Sequence, residues 1–300
     1  MSNEDRMHSL GLAAAASAFT IWGLSVIFFK FQAHIPAHEV IAHRIVWSVV
    51  FVGLYLAVQR RGGEIVSVLR NRRLVLMLLV SSLLVATNWL LFVWAVGQGK
   101  ILETSYGYFI NPLTIILLSF VVLKEKLSPP QWLAVGLAFI AVLVQGALLS
   151  GFPWISIAIT VTFALYGLMR KQLDVGANLG LFVEALLLSP LALGYLLLLE
   201  FGQSTSGHFG ASVSDTMLLM ANGPVTATPL ILFAYAARRL KFSTVGLLQY
   251  ITPSLSFLLA VLIYGEPLNT IKLVSFVIIW VSLVVFTWDL LRKAKQPAQD

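Results

Sequence analysis

Ten long apolar runs, each bounded by charged residues, glycine or proline, dominate this 300-residue sequence. A helix needs about 20 mostly apolar residues to cross the hydrocarbon core of a bilayer, whereas a barrel strand needs about half as many and alternates strictly. The runs are too long and too continuous for strands, so they predict an all-α membrane protein with ten transmembrane helices. They cover roughly residues 8–30, 38–59, 73–97, 101–123, 129–149, 152–170, 177–200, 214–237, 242–264 and 268–291.

The composition excludes a soluble protein. Hydrophobic residues make up 59% and charged residues 11% of the chain, with a mean hydropathy of +0.90, whereas soluble domains have about 45–50% apolar and about 25% charged residues. Ten spans leave no room for a separate soluble catalytic module. Cysteine is absent, which excludes disulfides and thiolate chemistry. The first run, Leu10 to Phe29, exceeds the roughly 7–15 residues of a signal-peptide core, so we expect it to be retained as a span.

Basic residues collect in alternate connections between the spans. Lysine and arginine are enriched in short cytoplasmic loops, so this alternation predicts that both termini are cytoplasmic. It also attributes the net charge of +7 to membrane topology rather than to a nucleic-acid partner. Sixteen of the 20 fall on the predicted cytoplasmic side: Arg6, Arg60, Arg61, Arg70, Arg72, Arg73, Lys124, Lys126, Arg170, Lys171, Arg238, Arg239, Lys241, Arg292, Lys293 and Lys295.

The sequence matches itself when it is shifted by 141 positions. Lys100, Ile110, Pro112 and Glu125 then meet Lys241, Ile251, Pro253 and Glu266. This register predicts two repeats of five helices, residues 8–149 and 152–291. Because five is odd, the second repeat is inverted relative to the first, with Glu125 on the cytoplasmic side and Glu266 on the other. Inverted repeats are typical of transporters, since they provide two related conformations, one open to each side.

Prolines in corresponding spans are the sequence feature that best indicates a transporter's binding site. Pro112 in the fourth span and Pro253 in the ninth occupy equivalent positions, and the eighth span contains Pro224 and Pro229. We predict helix breaks at these prolines, where free backbone carbonyls could face a cavity. The alternative is that proline is simply commoner in membrane helices.

Ionisable residues inside the spans are candidates for binding or coupling, because a charge in the membrane normally faces a polar interior and has a partner. Glu39, His43 and Trp47 share one face of the second span. Arg44 has two alternative roles: substrate binding, or a structural ion pair with Glu39 or with Glu103 at the start of the fourth span. An unperturbed histidine titrates near neutral pH, so His43 could couple transport to protons.

Glu184 is an isolated carboxyl in the seventh span. No base is evident in its own helix, so it either meets a partner from another span or carries a proton. Both states suit proton coupling, and a hydrogen-bonded packing role has the same sequence signature.

Amide and aromatic groups at mid-membrane depth suit a modestly polar organic solute better than a bare metal ion, which would need several carboxylates or a histidine cluster. We therefore predict a small organic solute and the lipid bilayer as partners, with no metal. No nucleotide-binding or hydrolase motif is present in the sequence, so we expect no cofactor, no enzymatic activity and no ATPase subunit. The residues concerned are Asn88, Trp89, Tyr106, Tyr108, Asn111, Gln249 and Tyr250.

Several segments resemble the RarD branch of the drug/metabolite transporter superfamily, over roughly residues 8–291. The resemblance implies two EamA-type repeats of five helices in a bacterial inner membrane. It also implies small-solute transport, since members are labelled chloramphenicol-sensitivity permeases and wider relatives export metabolites; it assigns no binding residues. The segments are Glu39-Val-Ile-Ala-His-Arg-Ile-Val-Trp47, Asn88-Trp-Leu-Leu-Phe-Val-Trp-Ala95, Leu102-Glu-Thr-Ser-Tyr-Gly-Tyr-Phe-Ile-Asn-Pro112, Gln131-Trp-Leu-Ala-Val135, Tyr166-Gly-Leu-Met-Arg-Lys171, Gln249-Tyr-Ile-Thr-Pro253 and Tyr264-Gly-Glu266.

Three functions remain as hypotheses. The leading one is a secondary transporter, an exporter or permease driven by a proton or solute gradient. The second is an intramembrane enzyme acting on a lipid-linked substrate, with Glu39, His43 and Glu184 as acid or base. Its candidate groups lie near opposite surfaces, which argues against it. The third is a passive channel or scaffold.

Overall fold

The structure is a computed structural model that describes residues 3–149, 151–201, 207–265 and 269–294. All of the regular elements in these ranges are helices. They are α1 (Asn3–Lys30), α2 (Ala37–Val58), α3 (Gly62–Arg70), α4 (Arg72–Gly97), α5 (Ile101–Val121), α6 (Pro129–Gly146), α7 (Trp154–Gln172), α8 (Ala177–Phe201), α9 (Val213–Arg239), α10 (Phe242–Leu248), α11 (Ile251–Leu262) and α12 (Thr270–Ala294).

The prediction of an all-α membrane protein is confirmed. Within the described residues, nine stretches have the length and hydropathy of membrane spans, and Phe242–Leu262 counts as one of them. Helix α7 is a tenth long helix, and its hydropathy is lowered by Arg170 and Lys171 in its last turn. The ten-span architecture therefore fits the structure. The sequence analysis did not predict α3, a short helix between the second and third spans.

The ninth span is two helices, with a turn at Gln249 and Tyr250. Proline has no N–H, so Pro253 cannot donate to the carbonyl four residues earlier, that of Gln249. The backbone N–H of Thr252 donates to that carbonyl instead, at 3.1 Å. Donor and acceptor are then three residues apart, as in a turn, rather than four, as in an α-helix. The helix is therefore interrupted at Tyr250, immediately before α11 and three residues before Pro253.

The other predicted breaks are wrong. Helix α5 continues through Pro112, and α9 continues through Pro224 and Pro229. A membrane helix tolerates the loss of one backbone hydrogen bond when neighbouring helices pack around it. Helix α5 has such neighbours, because α7 and α10 pack closely against it.

The helices pack in a reciprocal pattern. Helix α1 packs against α9 and α11, while α7, its counterpart in the second half, packs against α4 and α5. Three equivalent pairs pack directly on each other: α2 with α8, α5 with α10, and α6 with α12. This is the contact pattern that two interlocked halves related by a twofold axis would give. It is compatible with inverted repeats, and the repeat limits at 8–149 and 152–291 stay a prediction.

The two ends of the bundle can be recognised from contacts between distant residues. Met7, Arg61 and Arg238 line one cavity, so the start of α1 lies at the same end as the arginine-rich connections. At the other end of α1, the Lys30 Nζ lies 3.5 Å from the ring centroid of Tyr264. Glu125 lies at the first end, because it binds the start of α10. Glu266, its repeat counterpart, lies outside the described residues.

Helices α2 and α9 approach each other closely at Gly223. A Cβ atom there would lie 2.5 Å from the carbonyl oxygen of Trp47, so we expect Gly223→Ala to lower the free energy of unfolding by about 1–3 kcal/mol through overpacking. The matched control is Gly194 in α8, where a Cβ would meet nothing within 4 Å. Gly194→Ala should be neutral or stabilising by about 0.5–1 kcal/mol, since alanine favours helix. Thermal unfolding in detergent compares them, and equal stability of both variants would contradict the predicted clash.

Candidate functional site

Arg44 lies at a meeting point of five helices. Its Nε donates to Thr226 Oγ1 of α9 at 2.9 Å. The centre of the guanidinium lies 4.5 Å from the ring centroid of Trp89 in α4 and 5.3 Å from that of Phe29 in α1. Tyr108 of α5 is close enough to interact electrostatically with it. The structure thus brings together three residues that the sequence analysis selected separately, Arg44, Trp89 and Tyr108, and adds Thr226 and Phe29, which it missed.

The predicted ion pair of Arg44 is wrong for both proposed partners. Glu39 and Arg44 are five positions apart on one helix, which places them about 140° apart around its axis. Glu103 instead binds its neighbour Lys100, with Oε1 3.4 Å from Nζ. No carboxylate oxygen in the described ranges lies within 4 Å of the Arg44 guanidinium.

Glu39, His43 and Trp47 share a face, as predicted, but they face away from Arg44. They line a cavity of about 370 Å³ between α2 and α8. Glu39 accepts a hydrogen bond from the backbone N–H of His208 at 2.6 Å, and its other oxygen lies 2.8 Å from His208 Nδ1. His43 stacks on Phe209, with ring centroids 5.2 Å apart. His208 and Phe209 come from the segment before α9 and carried no recognisable signal in the sequence.

The two asparagines hold helices together around the central site. The Asn88 side chain donates to the carbonyl oxygen of Ile159 at 2.7 Å and to Thr162 Oγ1 at 3.1 Å. Thr160 Oγ1 donates to Asn111 Oδ1 at 3.1 Å. Because Ile159, Thr160 and Thr162 all belong to α7, these bonds tie α4 and α5 to α7 near the middle of the membrane.

Tyr106 and Tyr250 belong to another buried apolar cluster, and no contact within the described residues joins them or Gln249 to Arg44. The Tyr106 hydroxyl donates to the carbonyl oxygen of Val142 at 3.1 Å. The Tyr250 ring is buried against Phe109, with centroids 5.7 Å apart. Within the described part of the chain, the Tyr250 hydroxyl and Gln249 Oε1 have no hydrogen-bond partner. The predicted binding residues therefore fall into three places rather than one.

Glu184 has a partner from another span, which was one of its predicted states. Its Oε1 accepts a hydrogen bond from Ser81 Oγ at 2.7 Å and lies 3.4 Å from Nη1 of Arg170. The sequence analysis counted Arg170 among the loop cations, and this is wrong: its side chain is 0% exposed and that of Glu184 is 2% exposed. The Arg170 side chain lies inside the bundle, where its Nη2 also donates to the carbonyl oxygen of Ala177 at 3.2 Å.

Comparisons with known proteins agree on one family. Residues 9–146 match the model of the EamA-like transporter family. An uncharacterized transporter of Pseudomonas aeruginosa is 42% identical over 299 residues, 99% of each chain. Protein RarD of Escherichia coli is 41% identical over 280 residues, covering 93% of this chain and 94% of its own. Protein RarD of Streptomyces exfoliatus is 42% identical over 295 residues, covering 98% and 92%.

A solved crystal structure has the same fold at low sequence identity. It covers 97% of this chain and 100% of its own, with a TM-score of 0.75 and 18% identity. The helical spans and the relatives together define a multi-pass membrane transporter. The chain belongs to the EamA-like transporter family, in its RarD branch, so the resemblance noted in the sequence is confirmed.

Proposed function

We propose that the protein is a secondary transporter that moves a small organic solute across the bacterial inner membrane by alternating access, in the direction of export. Both termini are cytoplasmic in this proposal, and a proton or solute gradient drives the movement. His43 and Glu184 are the candidate proton-coupling groups. A relative in Pseudomonas aeruginosa, 31% identical over 265 residues, is named a chloramphenicol-sensitive protein, so a neutral drug-like solute belongs among the first to be tested.

The observation that carries the proposal is the reciprocal packing of the two halves around Arg44. Helices α1 and α2 of the first half and α9 of the second meet at this residue, together with α4 and α5. Two similar halves of opposite orientation can rock against each other and expose one polar centre to either side in turn.

An intramembrane enzyme is less well supported. The candidate acids lie at opposite ends of the bundle, with Glu39 bound to His208 and Glu184 bound to Arg170 and Ser81. Acid and base catalysis needs its groups within hydrogen-bond reach of one reacting centre. These two carboxyls cannot serve one centre together.

Solute flux into proteoliposomes tests this function. Radiolabelled phenylacetate, phenylacetamide and chloramphenicol are each offered to liposomes with the purified protein and to empty liposomes, with and without a pH gradient. A carrier gives saturable uptake and counterflow of at least one unchanged solute. Chemical change of a solute would indicate an enzyme, and flux that does not saturate would indicate a channel. Uptake equal to that of empty liposomes for all three solutes would indicate a scaffold. Each of these results would overturn the proposal.

A further inference from the structure

The outer guanidinium nitrogens of Arg44 have no acceptor in the part of the chain that the structure describes. Its Nε is bonded to Thr226 Oγ1, but within the described ranges neither Nη1 nor Nη2 makes a hydrogen bond to the protein. These two nitrogens carry four of the five N–H donors of an arginine. The side chain is only half-buried, although Arg44 is the eighth residue of α2 and so lies about 10 Å into the span.

Within the described residues the guanidinium also lacks a counter-charge, and three carboxylates of the same end of the bundle have other partners. Glu39 binds His208, Glu103 binds Lys100, and Asp215 binds His34 at 2.9 Å. A cation at the centre of a membrane span costs about 2.5–3.5 kcal/mol on the insertion scale, and one within a span normally has a partner. The rings of Trp89 and Phe29 compensate in part through cation–π contacts. The negative charge that is still missing would have to come with a ligand.

We propose that Arg44 is the anchor of a binding site for an organic carboxylate, with its two Nη atoms holding the carboxylate as a planar fork. This deepens the proposed function, on which it rests, by naming the substrate class. Arginine binds carboxylates through two parallel N–H···O bonds, which a lysine cannot do. Thr226 fixes the guanidinium through Nε, and this leaves the Nη edge free for the carboxylate.

The surroundings of Arg44 select the rest of the ligand. Trp89 and Phe29 offer flat apolar surfaces beside the charge, which suits a short aromatic or aliphatic body. The single guanidinium balances one negative charge, and the neutral phenol of Tyr108 adds none. A phosphate ester carries nearly two charges at neutral pH and is usually held by several cations, and no second cation contacts this site within the described part of the chain. A monocarboxylate is therefore the best match.

Binding to the purified full-length protein in nanodiscs tests this proposal. The probes are phenylacetate, its neutral amide phenylacetamide, and phenyl phosphate, followed by thermal shift and by tryptophan fluorescence, since Trp89 would contact the ligand. We expect phenylacetate to raise the unfolding temperature and change the fluorescence in a saturable way, with an apparent affinity at least about tenfold above that of the amide. An amide or phosphate ester that binds as well as the carboxylate would overturn the assignment.

Variants locate the binding on Arg44. Arg44→Gln should weaken phenylacetate binding at least about tenfold, and Arg44→Lys should weaken it less, because the charge stays and the fork is lost. The matched control is Arg292→Gln: Arg292 also lies over a tryptophan ring, 5.5 Å from the centroid of Trp288, but is exposed. It should leave binding unchanged. Undiminished binding by Arg44→Gln, or an equal loss in Arg292→Gln, would refute the role of Arg44. Equal binding by wild type and Arg44→Lys would refute the planar fork.

The two proposals can fail separately. Carboxylate binding that depends on Arg44 without saturable flux would uphold the site and reject transport. Saturable flux of neutral solutes that persists in Arg44→Gln, without carboxylate binding by the wild type, would uphold transport and reject the carboxylate site. If Arg44→Gln does not fold, the comparison of acid, amide and phosphate on the wild-type protein still decides the ligand class.

Discussion

Glu184→Gln is expected to remove most of the folded protein, because it leaves the Arg170 guanidinium buried without its counter-charge. Removing one member of a fully buried ion pair typically costs about 3–5 kcal/mol, which is a large part of the stability of most folded chains. Arg170 cannot escape by losing its proton, since an arginine stays charged in proteins. The yield of monodisperse protein after detergent extraction and the apparent unfolding temperature would both fall.

The surroundings of the pair leave Arg170 little freedom to move. A Cβ on Gly180 would collide with the guanidinium nitrogens, so α8 presents a glycine where Arg170 enters. Ser81 of α4 donates to the same Glu184 oxygen that faces Arg170. The pair therefore joins α4, α7 and α8 in one buried network, and its loss should destabilise all three helices together.

A second Arg–Glu pair in the chain is a matched control. Arg61 and Glu64 lie three residues apart, with Nη2 and Oε2 separated by 2.6 Å, but the Glu64 side chain is 51% exposed. Exposed pairs of this kind contribute little to stability, so Glu64→Gln should leave the unfolding temperature unchanged. If Glu184→Gln and Glu64→Gln behaved alike, the buried network would not be the stabilising feature that its geometry indicates.

The double variant Arg170→Met/Glu184→Leu separates folding from proton coupling. Replacing both members of a buried pair by apolar residues of similar size is often neutral for stability or better, so the double variant should recover much of the lost protein. Accumulation driven by a pH gradient is then measured in proteoliposomes. Its loss in the folded double variant would support the predicted coupling role of Glu184. Unchanged accumulation would limit this residue to a structural role.

The ten spans could be predicted from the sequence because each depends only on a continuous apolar run and on the length of a helix that crosses the bilayer. The inverted arrangement was predicted from one register of the repeat and from the alternation of basic residues between the spans, and the packing of the helices is compatible with it. Both are properties of the chain taken one segment at a time. They do not require knowledge of which helices become neighbours.

The side-chain partners could not be predicted in this way. Arg44 meets Thr226 across 182 positions, and Ser81 meets Glu184 across 103. Such contacts depend on how each helix is rotated about its own axis and which helix lies beside it. The same limit explains the errors. Arg170 was predicted to be a loop cation because it stands next to Lys171 at the end of a span. Pro112 was predicted to break its helix as Pro253 does, although α5 is continuous.

Glu125→Ala is expected to loosen the start of α10 and to lower stability by about 2–4 kcal/mol. The first backbone N–H groups of a helix have no partner within the helix. In α10 the Glu125 carboxylate, from a loop distant in sequence, is the partner of these groups. Its Oε1 accepts a hydrogen bond from the N–H of Phe242 at 2.6 Å. Its Oε2 accepts from the N–H of Ser243 at 3.0 Å and from the Ser243 hydroxyl at 2.7 Å. Bonds to a charged acceptor are worth about 1.5–3 kcal/mol each and are not additive.

Helix α10 is sensitive to this loss because it has only seven residues and ends at the turn before α11. Hydrogen exchange measured by mass spectrometry should show faster exchange over residues 242–248 in Glu125→Ala, with α12 unchanged. The exchange rate over residues 242–248 in Glu125→Gln should lie between those of the wild type and Glu125→Ala, since the amide keeps one acceptor oxygen without the charge. Lys124→Ala, at the neighbouring exposed position, serves as the control and should exchange like the wild type.

The consequence for transport follows from where α10 lies. It packs against α5, where a Cβ on Gly246 would come within 3.0 Å of the Pro112 carbonyl oxygen, and α5 also carries Tyr108 at the central site. A loosened α10 should therefore lower the rate of counterflow in Glu125→Ala even under conditions in which the variant remains folded. A variant with faster exchange at 242–248 but wild-type counterflow would show that the first half of the broken span can move without disturbing the site.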